Sequence, residues 1–512
     1  MIEIYDTTLR DGTQGEGISF SLNDKLKITK KLDNLGVHYI EGGWSGSNPK
    51  DTLFFKKVGS VKLNRAVVTA FGSTRRANVS AEEDTSMKSI LDSGADVATI
   101  FGKSWDFHVM EVLKTTLENN LEMIRDSIRF LRSNGLRVIY DAEHFFDGFK
   151  KNADYAMQTV EAAQSAGAET IVLCDTNGGT MPFEVSNIVE EVKKRTTVPL
   201  GIHAHNDGGT AVANSMMAVK SGVVQVQGTI NGYGERCGNA DLCTIIPNLK
   251  IKLNLDCIAD SQLKNLTRVS RYVSELANLV PRNDQPYVGK SAFTHKGGAH
   301  VDAVLKNADS YEHTNPESVG NSRRLLISEL AGKRNILSKA KEHGVDLSLA
   351  KTKEILNTVK SLENDGYQFE GAEGSFVLLL KRALGEDNPL FDAESFEVVI
   401  KKDHKGITAN ATVELELDGK RVIASSMGDG PVDALNRALK DVLTPIYPEL
   451  KLIRLTDYKV RVLDAKSGTA AKVRVLIDSS DGKKTWSTVG VSTNIIEASW
   501  NAILDALEYG SV

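Results

Sequence analysis

Two imidazoles two residues apart, His203 and His205, stand in Gly201-Ile-His203-Ala-His205-Asn206-Asp207, directly after the apolar run Pro199-Leu-Gly-Ile202. In a strand, residues i and i+2 point to one face, so both rings can reach one divalent ion, and imidazole is a favoured ligand of such ions. Alone, the pair reads equally well as two unconnected polar residues at a strand end. A metal site needs a third ligand from elsewhere in the chain.

The elements that could deliver it form a regular series. Short β-rich runs occur at Ile2-Tyr5, Tyr39-Ile40, Ala66-Phe71, Val97-Phe101, Leu136-Tyr140, Thr170-Cys174, Pro199-Ile202 and Val223-Gly228. Amphipathic stretches with apolar residues three and four apart, such as Leu22 to Leu35 and Ala153 to Ala166, lie between them. Such eightfold alternation predicts a (β/α)8 TIM barrel, with a doubly wound open sheet as the alternative because periodicity does not show closure.

A barrel gathers its chemistry at the C-terminal ends of its strands. Those ends carry Asp6-Thr-Thr-Leu-Arg10-Asp11-Gly12, Glu41, Asp141-Ala-Glu143-His144, Asp175-Thr176-Asn177, the two histidines, and Asn231-Gly-Tyr-Gly-Glu-Arg-Cys-Gly-Asn239. Asp11 is the preferred third ligand and Asp6 the weaker one, giving a two-His-one-carboxylate face with open positions. An Asp beside Gly is also an ordinary turn former. Arg10 beside such a metal suits a carboxylate or a carbonyl becoming an oxyanion, with an ion pair to Glu143 that only holds the barrel mouth together as the lesser alternative.

The composition excludes other classes. With 62 basic and 67 acidic side chains the net charge is -5, which offers no basic excess for nucleic acid. No apolar run approaches the roughly 20 residues that span a bilayer, and Met1-Ile-Glu-Ile-Tyr-Asp6 does not read as a signal peptide. Four cysteines without Cys-x-x-Cys spacing predict reduced thiols in the cytoplasm.

Asp6-Thr-Thr-Leu-Arg10-Asp11-Gly-Thr-Gln14, His203-x-His205 and Asn231 to Asn239 resemble the signatures of the DRE-TIM metallolyases, in the branch of 2-isopropylmalate, homocitrate and citramalate synthases. The likeness continues through Pro286 to Asp302, Tyr311-Glu-His and Arg323-Arg324. Gly43 to Pro49, Ala70 to Arg76, Tyr140 to Asp147 and Tyr367 to Glu370 are most similar to the long-form citramalate synthases. Two departures stand out. Lys296-Gly-Gly-Ala-His300-Val-Asp302-Ala replaces the isopropylmalate synthases' Glu-Ser-Gly-Ile-His-Gln-Asp-Gly, and Glu143 is followed by His144 instead of Asp.

The resemblance implies condensation of acetyl-CoA with a 2-oxo acid, here pyruvate, followed by thioester hydrolysis. It implies a divalent metal (zinc, manganese, magnesium and cobalt stay undistinguished) on Asp11, His203 and His205, completed or supported by Asn239. Arg10 would share the charge on the keto oxygen and Thr176 would hold the substrate carboxylate, unless its hydroxyl merely caps a helix. The base is one of Glu143, His300, Asp302 and Tyr311, which the sequence does not order. By resemblance Glu143 works with Arg10, while His300 and Tyr311 come from the region after the barrel, of the same or a partner subunit. Phe71 and Phe101 either wall the methyl of pyruvate or simply pack the barrel.

The domain reading is a catalytic barrel at 1–262, mainly helical linker subdomains at 263–385, and an α+β domain at 386–512 after the polar break Gly385-Glu-Asp-Asn-Pro389. The last part repeats: Ala411 to Gly419, a strand to Gly428 and a helix from Val432 to Leu443 are echoed by Ala471 to Asp478, a strand to Gly490 and a helix from Ile496 to Leu507. Two β-β-α units predict a pseudo-twofold module with one strand layer under helices. The resemblance implies feedback inhibition by isoleucine there, in a homodimer; a purely dimer-building module is the alternative. A non-haem iron oxygenase also uses two His and one carboxylate, but its His-x-Asp…His order is absent.

Overall fold

The computed structural model describes residues 1–386, 391–404, 406–417, 419–464, 468 and 470–511. Asp387, Asn388 and Pro389 of the expected break, and Asp418 of the first repeat, lie outside the described residues.

Strands and helices alternate through the first part: β1 (Glu3–Asp6), α1 (Leu22–Leu35), β2 (Tyr39–Trp44), α2 (Pro49–Val58), β3 (Val67–Ser73), α3 (Thr85–Asp92), β4 (Val97–Lys103), α4 (Leu117–Ser133), β5 (Arg137–Glu143), α5 (Phe145–Lys151), α6 (Ala153–Ala166), β6 (Thr170–Asp175), α7 (Pro182–Lys193), β7 (Leu200–Ala204), α8 (Ala211–Lys220) and β8 (Gln225–Gly228). The eight strands are parallel and β8 pairs with β1, from Glu3↔Gln225 to Asp6↔Gly228, so the barrel is closed and the open-sheet alternative falls. Local chemistry sets the helix ends. Ser21 and Asp24 form a reciprocal capping box that starts α1, and Gly36, in the left-handed region, stops it. Strands and helices share one apolar core from Ile4 and Ile40 to Val226 and Leu242.

Helices α9 (Leu242–Pro247), α10 (Asp260–Leu263) and α11 (Leu266–Leu276) follow. The chain separates into two compact units, Met1–Phe293 with Thr314–Arg323, and Thr294–His313 with Arg324–Val512. The second unit holds the short parallel pair β9 (Thr294–His295) and β10 (Arg324–Leu325), with helices α12 (Gly298–Lys306), α13 (Lys333–Glu342), α14 (Leu349–Asn364) and α15 (Glu373–Leu384).

The repeat then departs from the expected pattern. Each copy has three antiparallel strands and a helix: β11 (Asp392–Asp403), β12 (Gly406–Leu417), β13 (Lys420–Gly428) and α16 (Pro431–Leu443), then β14 (Arg454–Val462), β15 (Val473–Ser480), β16 (Thr485–Ser492) and α17 (Ile495–Gly510). The sequence reading passed over both leading strands, which are exposed over most of their length: β11 loses its alternation at Val398-Val399-Ile400, while β14 keeps one at Tyr458, Val460 and Val462. They give each copy its own three-stranded sheet in place of a single layer. Alternate residues of β12 (Ala409, Ala411, Val413, Leu415) bury against α16, as Val475 and Ile477 of β15 do within the same core.

Candidate active site

At the end of β1 the buried Asp6 carboxylate accepts from the backbone N–H and the hydroxyl of Thr8, both at 2.9 Å. Asp6 thus shapes the turn, and burial pushes it up to about 7. The turn aims Arg10 and Asp11 at the mouth. Arg10 Nε donates to Glu41 Oε2 at 2.5 Å and Nη1 to Asp11 Oδ2 at 3.1 Å, while the guanidinium carbon sits 3.8 Å from the centre of the Phe71 ring. Glu41, within β2 just before its register shift, also accepts from Tyr5 and Thr7, and the Tyr5 hydroxyl meets Thr69 and Thr99 at 2.8 Å. Arg10 is therefore paired with Glu41, and Glu143 is paired with Lys103 from β4.

His203 Nε2 lies 3.4 Å and His205 Nε2 3.8 Å from Asp11 Oδ2, and the two Nε2 atoms are 3.4 Å apart. All three residues are buried, and their ligand atoms fall within 4.8 Å of one another. Asp11 Oδ1 and Asn239 Oδ1 are buried and accept no hydrogen bond among the described residues. An orphaned buried acceptor costs about 1–3 kcal/mol, which a bound cation would relieve, so the donor set fits a divalent metal. Asn239 Nδ2 lies 3.4 Å from His203 Nε2, and rotating the amide would bring its oxygen to the same place. An isolated antiparallel bridge, His205↔Asn239, fixes this approach, and Gly234, with φ 156, leaves space where a Cβ would collide with the Asn239 amide.

Electrostatics suit metal binding. Burial would raise Asp11, but Arg10 and the two histidines hold it well below the usual carboxylate range. Burial and the neighbouring His203 lower His205 to about 4, leaving a neutral ring with a lone pair. His203 Nδ1 meets Gln227 Oε1 at 2.9 Å, which with the proton on Nδ1 turns a lone pair on Nε2 toward Asp11. Burial disfavours the charged ring, but Asp11 raises its pKa, and a cation on Asp11 would take the place of the proton that charges it. Gln227 Nε2 donates to Asp141 Oδ1 at 3.2 Å. Burial, with Glu41 nearby, pushes Asp141 up to about 7.

These groups surround a cavity of about 190 Å³ that Phe71, Phe101, Glu143 and Thr176 also line. The Phe71 and Phe101 rings stack 5.5 Å apart. The Thr176 hydroxyl accepts from the His144 N–H at 2.9 Å, which leaves its own proton free to donate. Of the residues selected from sequence, Arg10, Asp11, Phe71, Phe101, Glu143, Thr176, His203 and His205 thus share one cavity, with Asn239 beside His203. The remaining three belong to the second unit. There His300 stacks on Tyr311 with ring centres 4.2 Å apart, and Asp302 pairs with Lys306 at 2.7 Å and Arg334 at 2.6 Å.

Sequence reasoning gave no role to Lys103, Trp44 or Gln227. Gln227 was findable, since in a barrel the residue paired with His203 across β7 and β8 faces the same interior.

Residues 1–273 match the family model described as HMGL-like, 287–367 the homocitrate synthase post-HMGL domain-like model, and 370–511 the LeuA allosteric (dimerisation) domain. The chain is 55% identical to an (R)-citramalate synthase of Geobacter sulfurreducens, over 99% of this chain and 97% of that one. It is 53% identical to an (R)-citramalate synthase of Aquifex aeolicus with the same coverage. A probable 2-isopropylmalate synthase of Methanopyrus kandleri is 30% identical over 98% of this chain and 97% of its own.

Proposed function

The chain belongs to the HMGL-like family and, along its whole length, to the (R)-citramalate synthases within it; from that premise we propose that it joins the methyl carbon of acetyl-CoA to the keto carbon of pyruvate and hydrolyses the thioester, releasing citramalate and CoA. The observation that carries the reading is the convergence of Asp11, His203 and His205 with Arg10 on one small cavity walled by Phe71 and Phe101.

Asp11, His203 and His205, with Asn239, would hold a divalent ion, whose Lewis acidity polarises a chelating 2-oxo acid. Arg10, fixed by Glu41 and Asp11, stabilises the negative charge that develops on the keto oxygen. The Thr176 hydroxyl donates to the substrate carboxylate, and Phe71 and Phe101 leave room for a methyl group. Glu143 takes the proton from the acetyl methyl as the new carbon–carbon bond forms, with Lys103 holding its carboxylate in place. It is chosen because, of the four candidates, it lines the cavity. Single substitutions at Glu143, His300, Asp302 and Tyr311 rank them: the base should lose kcat with little change in the pyruvate KM.

The same premise supports a homodimer in the cytoplasm with isoleucine as effector; among the described residues no helix is long and apolar enough to cross a membrane. The effector is assigned to a cavity of about 400 Å³ between the repeats, walled by Pro431, Val432, Ile453, Leu455, Ile477 and Leu507. The three-part division at 262 and 385 is kept as a functional one: chemistry, linkage and regulation. The deciding experiment follows CoA release from acetyl-CoA with a panel of 2-oxo acids, with and without chelator and isoleucine. Pyruvate should be preferred and the chelator should stop the reaction; a strong preference for 2-oxoisovalerate would reassign the chain to 2-isopropylmalate synthesis.

A further inference from the structure

Strand β2 does not end regularly. Its pairing with β3 shifts register between Glu41 and Gly43, and Gly43 adopts φ 137, a conformation that L side chains avoid. A Cβ at Gly43 would also lie 2.6 Å from the Asp51 carboxylate. That carboxylate takes the Trp44 N–H at 3.1 Å, Lys25 Nζ at 2.5 Å and Asn48 Nδ2 at 3.1 Å. The irregularity and its buried anchor turn the next side chain, Trp44, into the barrel mouth, as bulges beside active sites do.

There the indole packs against both phenylalanines at once. Its centre is 5.8 Å from the Phe71 ring at 85° and 5.8 Å from the Phe101 ring at 84°, and it lines the same cavity as Arg10 and the histidines. The Arg10 guanidinium also lies over the Phe71 ring. With Trp44 edge-on, neither phenylalanine can swing outward without displacing an indole whose backbone is pinned to Asp51. Trp44 thus braces both rings of the wall at their edges.

We propose that Trp44 is a specificity-determining residue: its indole closes the acyl end of the pocket and, by holding Phe71 and Phe101, limits the 2-oxo acid side chain to a methyl group. This rests on the reaction proposed above. It differs from a wall made of the phenylalanines alone, because trimming Phe71 would leave the indole in place as a barrier.

The test uses the metal-loaded, full-length protein and its W44A and W44F variants with pyruvate, 2-oxobutyrate and 2-oxoisovalerate. One methylene in an apolar pocket discriminates by roughly 10–200-fold. W44A should therefore raise the kcat/KM ratio of 2-oxobutyrate to pyruvate by about tenfold or more, and W44F should raise it less. Calorimetric titration of each acid, without acetyl-CoA, should show the same reordering of affinities and does not depend on turnover. Should W44A fail to fold, the conservative W44F is judged by the same two ratios. Ratios that stay at the wild-type value, or rates that fall equally for all three acids, would overturn the proposal. If the wild-type protein prefers another acid, the reaction assignment fails separately. The wall is then judged by whether the variants shift preference toward the next longer side chain.

Discussion

The barrel mouth and the C-terminal repeats each enclose a cavity, built from contrasting materials. The mouth cavity, about 190 Å³, sets buried charged and titratable groups (Arg10 against Glu41 and Asp11, two imidazoles, and Asp141) against an aromatic wall of Trp44, Phe71 and Phe101. The repeat cavity, about 400 Å³, is walled mainly by Val432, Ile453, Leu455, Ile477 and Leu507. Buried charge must be paired, and the pairing holds each group in place before substrate arrives. An apolar cavity selects mainly by shape, with a few polar groups fixing the orientation of its occupant. The contrast teaches that the chain keeps its preorganised electrostatics where bonds change and leaves fit to the region proposed to measure concentration.

The largest effect that would break this contrast comes from the mouth. Asp11→Ala or His203→Ala should abolish turnover together with bound metal, measured by elemental analysis; a variant that keeps its metal would remove Asp11 or His203 from the ligand set. Arg10→Met should next lower kcat by about 100- to 1000-fold, the usual consequence of losing a donor to a developing oxyanion. Gln227→Leu leaves the ligands intact but frees the His203 ring, so metal affinity should fall by about 10- to 100-fold in a chelator competition.

In the repeats the effects should be steric. Val432→Trp fills the cavity and is expected to flatten the isoleucine inhibition curve; a curve like that of the unsubstituted protein would place the effector elsewhere. The smallest effect concerns pH. Glu363, on α14, accepts from the backbone of Glu329 at 2.6 Å and Phe369 at 3.1 Å, and burial, then Glu329, pushes it up to about 7 from an ordinary 4.5. A carboxyl raised on folding contributes stability fully present below 4.5 and lost as pH rises through about 7. Thermal melts should therefore weaken modestly between pH 5 and pH 8 (the interval used is about the width of that titration), and Glu363→Gln should flatten the trend.

Much of the mouth was legible because barrel topology maps strand ends onto one ring, so Asp11, Glu143, Thr176 and the histidine pair could be gathered without coordinates. Partner choice was not legible. Arg10 and Glu143 both bear charge at strand ends, but only the register decides that Arg10 meets Glu41 and Glu143 meets Lys103. Trp44 stayed hidden because a break in pairing aims it, and Gly42-Gly43 marks such a break without saying which way the next side chain turns. The leading strands were missed for different reasons: β11 loses its alternation at Val398-Val399-Ile400, and β14, although Tyr458, Val460 and Val462 alternate with charged residues, lies before the unit that the repeat was read from.

Glu41 is met by Tyr5, Thr7 and Arg10, and through Tyr5 it touches Thr69 and Thr99, so four of the eight strands share one carboxylate. In mutational terms Glu41 and Arg10 form a single locus. Replacing Glu41 leaves Arg10 with Asp11 as its remaining anion, and replacing Arg10 leaves Glu41 with only the Tyr5 and Thr7 hydroxyls and no cation, so a paired exchange disturbs the buried charge least. Sequence drift at the mouth is thereby funnelled through rare double steps, while the apolar walls of the repeats can change one residue at a time. The lining of the repeat cavity can therefore be repacked gradually, while the pairing at the mouth resists change.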